Sequence, residues 1–431
     1  MKRILTVVAL IIGLVAGMSA GELADKLKKM KRVKSVTELK SKHYGEKLEV
    51  MFEQPLDPKD PKSGKFEQRL FMMHRGFDRP TVMVTNGYGA SGASRETYQD
   101  EIAELLDANL IFVEHRYFEK SQPKPCDWQY LTIENSAYDY HAIRTEMGAI
   151  YGGKWVSTGI SKGGSTTIYY CVFFHGDVDA YVPYVGPINT GVQDGRHEHF
   201  LNNNGTPLER KALQDFQLEV LKRKDSLMPG FEAFCNEQKL KFKRPIREIF
   251  DYCVLEFPFA FWQWGYDVHK IPDLNGEDKP LLDFLTTNAG PDYFSALDRA
   301  NFPFYMQVVK DYGYYGYDIV PFTKYLDVKS TKNYMDDVFL PDEYGGQKYD
   351  GTTNSKTFNF LIENDPNMIF VYGECDPWSA TGIGQWLDFS KKSNMKLYVD
   401  PHGSHRARIK TLPPTQQNEA IKVLKGWLGM E

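Results

Sequence analysis

The chain has 431 residues, of which 42% are hydrophobic and 25% charged, and a formal net charge of −5. That length accommodates one large domain with an insertion, or two domains. The composition is ordinary for a soluble globular protein, and so small a charge excludes the electrostatic footprint of a nucleic-acid binder.

Taken in chain order, Lys2 and Arg3 precede an apolar run from Ile4 to Ala16, followed by the small residues Gly17-Met18-Ser19-Ala20. This predicts a secretory signal peptide over residues 1–20, cleaved near Ala20, and hence an exported protein, periplasmic or extracellular. A retained anchor is the alternative, although the run is short for a membrane span. No other stretch approaches a span, so no stable membrane association is expected after cleavage.

Residues 21–42 are lysine-rich and helical in tendency, and read as a surface lead-in. Lys47 to Phe52 and Phe66 to Met73 alternate like paired strands, with a proline-rich turn between them. Buried-strand runs follow at Thr81 to Thr85, Asn109 to Val113 and Trp155 to Thr158, with helical segments around Tyr98 to Leu106 and Asn135 to Ile150. Strands alternating with helices predict a mostly parallel sheet. The alternation stops near Gly186-Pro187. Residues 190–360 then read as a helical cap with aromatic islands, before strand patterns return at Met368 to Tyr372 and Met395 to Val399, and a last helix from Thr415 to Leu428. The expected organisation is an α/β-hydrolase core over 21–189 and 361–431, interrupted by a cap that restricts access to the sheet edge.

The chemistry is carried by Gly159-Ile160-Ser161-Lys162-Gly163. Alone this five-residue pattern is weak, but a strand precedes it and a long apolar run compatible with a helix follows. Strand, Gly-x-Ser-x-Gly and helix together describe a nucleophile elbow. The serine sits on a strained turn where side chains at 159 or 163 would collide with backbone, and the following helix points its free amides at a developing oxyanion.

This fold requires an acid and a histidine after the serine, on loops following late strands. The loop after Met368 to Tyr372 offers Asp376, fixed by Pro377, with Glu374 as the alternative. The loop after Met395 to Val399 offers His405, with His402 as the alternative. His115, His141 and His175 read as packing or surface residues. The expected oxyanion donors are the backbone amides of Lys162 and of Tyr88, the latter in Thr85-Asn86-Gly87-Tyr88-Gly89. Of five cysteines, Cys235 and Cys253 are the expected disulfide. No Cys/His spacing suggests zinc and no glycine-rich phosphate loop is present, so neither metal nor cofactor is expected.

Glu114-His115-Arg116-Tyr117-Phe118, Trp128-Gln129-Tyr130-Leu131-Thr132, the elbow, Asp376-Pro377-Trp378-Ser379 and Gly403 to Ile409 together resemble the secreted bacterial prolyl tri- and tetrapeptidyl aminopeptidases. The sister prolylcarboxypeptidases and dipeptidyl peptidase II show a related His-Arg-Tyr-Tyr segment and the same Asp-Pro-Trp-Ser loop. The resemblance implies a serine exopeptidase that removes short peptides from a free N-terminus, cutting after proline, with Ser161, Asp376 and His405 as its triad. It also suggests that the aromatic run Phe257 to Tyr266, including Trp262 and Trp264, lines a proline pocket, the other reading being the cap's own core. One departure matters: Thr85 to Gly92 lacks the acid with which the sister enzymes can anchor a substrate amine. Glu256 or Glu96 would have to serve instead. An exported esterase, or a binding protein on a hydrolase scaffold, are the rival functions.

Overall fold

The computed structural model describes residues 21–295 and 300–430; the expected signal peptide lies outside them. Nine strands form one sheet: β1 (Val33–Leu39), β2 (Glu46–Pro55), β3 (Lys65–His74), β4 (Thr81–Thr85), β5 (Asn109–Val113), β6 (Trp155–Ile160), β7 (Ala180–Tyr184), β8 (Met368–Gly373) and β9 (Met395–Asp400). Their spatial order is β1-β2-β3-β5-β4-β6-β7-β8-β9. The pairs from β1 through β3 to β5 are antiparallel, and every pair from β5 onward is parallel. That order, with the β4/β5 reversal at its centre, is the α/β-hydrolase fold.

The helices are α1 (Glu22–Lys28), α2 (Glu101–Leu105), α3 (Ile133–Met147), α4 (Lys162–Phe174), α5 (Arg196–Leu201), α6 (Pro207–Lys222), α7 (Lys224–Glu237), α8 (Ile246–Trp264), α9 (Asp278–Asn288), α10 (Phe302–Gln307), α11 (Thr352–Glu363) and α12 (Pro414–Trp427). The central strands are buried on both faces, and strand alternation divides their side chains. Met368, Phe370 and Tyr372 of β8 face a core shared with α3 and α4. Ile369 and Val371 face the core of α2 and α12. Period-two alternation in a doubly covered sheet produces this split and leaves no polar face.

Two sequence expectations fail here. Residues 21–42 are not a helical surface lead-in: α1 buries Leu23, Ala24 and Leu27, and Val33–Leu39 forms an edge strand on β2. That strand is half-buried only at Val33, Val36 and Leu39 and exposed between them, with no period-two apolar face, so pairing specifies it. Cys235 and Cys253 do not form a disulfide; both are buried free thiols, and burial pushes the Cys235 thiol up to about 11 and Cys253 well above its usual value.

Between β7 and β8, the described residues from Val185 to Asn367 form helices and loops and add no strand to the sheet. Three contacts tie this insertion to the loops at the carboxyl edge of the strands. Asn204 Nδ2 donates to Cys375 O (2.8 Å), His197 Nδ1 lies 3.1 Å from Pro377 O, and His405 N donates to Gln263 O of α8 (3.0 Å). Helix α11 returns to the sheet, where Tyr169 OH of α4 donates to Asn354 Oδ1 at 2.6 Å.

Candidate active site

Ser161 stands between β6 and α4 with φ 60° and ψ −125°, a region that a residue with a side chain occupies only under constraint. The constraint comes from packing. A Cβ on Gly159 would lie 2.2 Å from Gly163 O, and one on Gly164 2.4 Å from Tyr184 O. At Gly163, however, it would meet nothing nearer than Thr85 O at 3.4 Å. The close approaches are therefore at Gly159 and Gly164, not at Gly163 as the motif alone suggests. Gly159→Ala should cost about 1–3 kcal/mol of stability through overpacking and slow labelling of the serine by a fluorophosphonate. Gly163→Ala should leave both near wild type, with thermal melts and labelling rates as the measurements.

His405 and Asp376 meet at the carboxyl edge of β8 and β9. His405 Nδ1 lies 2.7 Å from Asp376 Oδ2, and Asp376 Oδ1 accepts from Trp378 N at 3.1 Å. Asp376 is fully buried and His405 nearly so, yet His405 Nε2 has no hydrogen-bond partner. The alternatives pair with each other in solvent: Glu374 Oε2 accepts from His402 N at 2.8 Å, and their side chains are 56% and 92% exposed. Burial decides between the two pairs. His115 is buried against Arg116 O and Ser136 Oγ, His141 pairs with Asp177, and the exposed His175 lies tilted against Phe360; none of the three lines the cleft described below.

Ser161, His405, Tyr88, Trp378, Glu256 and Trp264 line one cleft of about 760 Å³ under the helical insertion. Helix α8 contributes Glu256, Ala260, Gln263 and Trp264, the i, i+4, i+7, i+8 face that a 3.6-residue period predicts. Trp262 is on another face. It packs against Gly205 and borders a separate cavity of about 340 Å³, and is not part of the cleft as expected. Glu96 is exposed and does not line the cleft either. The aromatic run divides accordingly: Phe257 packs into the insertion's own core against Phe216 and Phe284, whereas Phe259 stacks on Tyr315 with ring centroids 3.7 Å apart. Tyr314, Tyr315 and Trp378 form the aromatic wall of the cleft, Phe259 lining the neighbouring cavity instead, and Trp264 stands edge-on to His405.

Glu256 is the buried acid of this cleft. Tyr315 OH donates to both its oxygens, at 3.0 and 2.9 Å, and Tyr317 OH to Oε2 at 2.8 Å. Burial pushes its carboxyl up to about 7, with the two phenols opposing. Asp292 also lines the cleft but is exposed. Arg406, over the Trp264 ring, and Arg408 also line the cleft.

The loop after β4 is clamped from beneath by residues that sequence reasoning left without a role. Glu114 Oε2 accepts from Ala90 N (3.0 Å) and pairs with Arg69, while Oε1 accepts from Ser121 N (2.9 Å). Arg116 forks onto Asp139 at 2.7 and 2.8 Å and donates to Leu56 O and Tyr130 O. The Glu-His-Arg-Tyr-Phe motif is thus scaffolding for the loop bearing Tyr88. Among the described residues no group of His, Cys, Asp and Glu could hold a metal ion, and no helix is long and apolar enough to cross a membrane.

The family model described as PS-10 peptidase S37 matches residues 18–431. A prolyl tri/tetrapeptidyl aminopeptidase of Streptomyces mobaraensis is 28% identical over 419 residues, 95% of this chain and 85% of that protein. A probable serine protease, EDA2, of Arabidopsis thaliana is 27% identical over 154 residues, 31% of this chain and 32% of that protein. Among solved structures, a proline iminopeptidase of Mycobacterium smegmatis shares 10% identity over 88% of this chain and 98% of that one, with a TM-score of 0.38. A match across nearly the whole chain means that this protein belongs to the peptidase S37 family and is a serine peptidase.

Proposed function

We propose that the enzyme is an exported exopeptidase that releases short peptides from free N-termini, cutting after proline, through an acyl-enzyme on Ser161. The chemistry rests on one observation: a buried His405–Asp376 pair whose free Nε2 shares the cleft with the strained serine. His405 Nε2 takes the Ser161 proton as Oγ attacks the scissile carbonyl. The oxyanion is received by the amides of Tyr88 and Lys162 at the start of α4, where the helix dipole also favours negative charge. His405 then protonates the departing amine, and water, deprotonated by His405, releases the acyl peptide. Asp376 holds the imidazole with its proton on Nδ1.

Selectivity for a free N-terminus is assigned to Glu256. Among the described residues its carboxylate is the buried negative group lining the cleft, and a buried charge is stable only when paired. A substrate ammonium supplies the pair. The flat faces of Tyr314, Tyr315 and Trp378 suit a proline ring, and the S. mobaraensis relative's name fits this specificity. Export rests on the sequence of residues 1–20.

A three-substrate comparison tests the reading: a free-amine Ala-Ala-Pro reporter, its acetylated twin and a simple acyl ester. The free-amine peptide is expected to be turned over fastest. Faster turnover of the acetylated peptide overturns the aminopeptidase reading, and turnover of the ester alone replaces it with an esterase.

A further inference from the structure

Lys162, immediately after the nucleophile, occupies a place where a lysine side chain is costly. It is 1% exposed, and it lies in the first turn of α4, at the positive end of the helix dipole. Burial pushes its ammonium down to about 7, with Asp311 pulling the other way. The Tyr88, Phe118 and Tyr312 rings lie 5.5, 5.5 and 5.9 Å from Nζ, which adds to the charged form. Asp311 is buried as well, with Oδ2 accepting from Ile133 N and Oδ1 unpartnered.

The ammonium makes one hydrogen bond, to Gly87 O at 2.6 Å. The other carbonyls of this loop are held by neutral groups. Asn86 O accepts from Tyr140 OH, Tyr88 O from His115 N and Asn86 Nδ2, and Gly89 O from Asn86 Nδ2. Only the Gly87 carbonyl receives a charged donor, and it belongs to the same peptide unit as the Tyr88 N–H. Glycine is required there because a Cβ at 87 would lie 2.7 Å from both Cβ and Cγ of Lys162.

We propose that the Lys162 side chain is a positioning residue for the oxyanion site, its ammonium orienting and polarising the Gly87–Tyr88 peptide so that the Tyr88 N–H becomes the stronger donor. The inference rests on the reading of Ser161 as nucleophile with the Tyr88 and Lys162 amides as its oxyanion donors. A cation on the carbonyl draws density along the conjugated O–C–N unit and leaves the N–H more positive, as in any polarised hydrogen-bond chain. The benefit appears only when the carbonyl oxygen becomes an anion, so it falls on kcat and not on substrate binding. Lys162 therefore serves both halves of the site, one amide through its own backbone and the other through its side chain.

The test compares Lys162→Met and Lys162→Gln with wild type, using the fastest of the three reporters above, a peptide boronic acid as the tetrahedral-anion probe, and the product peptide as the ground-state probe. Lys162→Met should lose roughly 10- to 100-fold in kcat, less than the loss of a whole oxyanion donor. KM and product affinity should stay within threefold, and boronate affinity should fall in step with kcat. Lys162→Gln, which keeps an N–H donor without the charge, should recover part of the loss. A folded Lys162→Met enzyme with kcat within threefold of wild type overturns the proposal, as does an equal loss of product and boronate affinity. If the methionine variant melts below the assay temperature, Lys162→Gln decides by the same readouts. Ser161→Ala is run alongside with a fluorophosphonate. Persistent labelling there fails the nucleophile reading itself, whereas a dead Ser161→Ala beside an unimpaired Lys162→Met fails this inference alone.

Discussion

Asp376→Asn should lower kcat by roughly four orders of magnitude, with KM nearly unchanged and the fold intact. The geometry forces the result. One oxygen of Asp376 accepts from Trp378 N and the other faces His405 Nδ1. An asparagine keeps its carbonyl toward the Trp378 amide, because the reverse would set two donors against each other. Its NH2 must then face His405, which can accept only with Nδ1 unprotonated. The ring proton moves to Nε2, the atom that has to take a proton from Ser161. The base is still present but in the wrong tautomer. Steady-state kinetics and a thermal melt check this, and a loss below tenfold in a folded variant would show that Asp376 does not orient the histidine.

Glu256→Gln should remove roughly 10²–10³-fold from kcat/KM for free-amine peptides, the scale for losing one partner of a buried charge pair. Acetylated peptides should be nearly unaffected. Because the carboxyl titrates at about 7 in the empty cleft, it is largely protonated below that pH and anionic above it. A peptide amine is an ammonium below about 8. Productive pairing needs the anion and the cation together, so the ratio of free-amine to acetylated kcat/KM should rise as pH increases through 7 and fall beyond 8. The glutamine variant should flatten that ratio across the range. Taking the ratio cancels any pH dependence that both substrates share. If Asp292→Asn flattens it instead, the exposed acid at the rim is the anchor.

The order of serine, acid and histidine was legible in the sequence because each follows a strand whose apolar run is local and self-evident. Other features escaped because their signal lies in the partner. Ala180–Tyr184 carries a proline within five residues and Val33–Leu39 alternates poorly, and both become strands through neighbours distant in sequence. Trp262 and Trp264 are equivalent as composition. On a helix, Trp264 is eight residues from Glu256 and shares its face, whereas Trp262 is six away and points elsewhere. That phase was readable once α8 was assumed continuous through Pro258.

By itself, then, the sequence determined the parallel core, the elbow and the serine, acid and histidine proposed as the triad, since strand periodicity and turn residues act within a few positions. Only the tertiary structure separated buried His405 from exposed His402 and excluded Glu96 from the cleft. It alone placed two phenols on Glu256 and turned a lysine beneath the loop that carries Tyr88. Burial and charge pairing are properties of what surrounds a side chain, and those surroundings arrive from segments tens to hundreds of residues away.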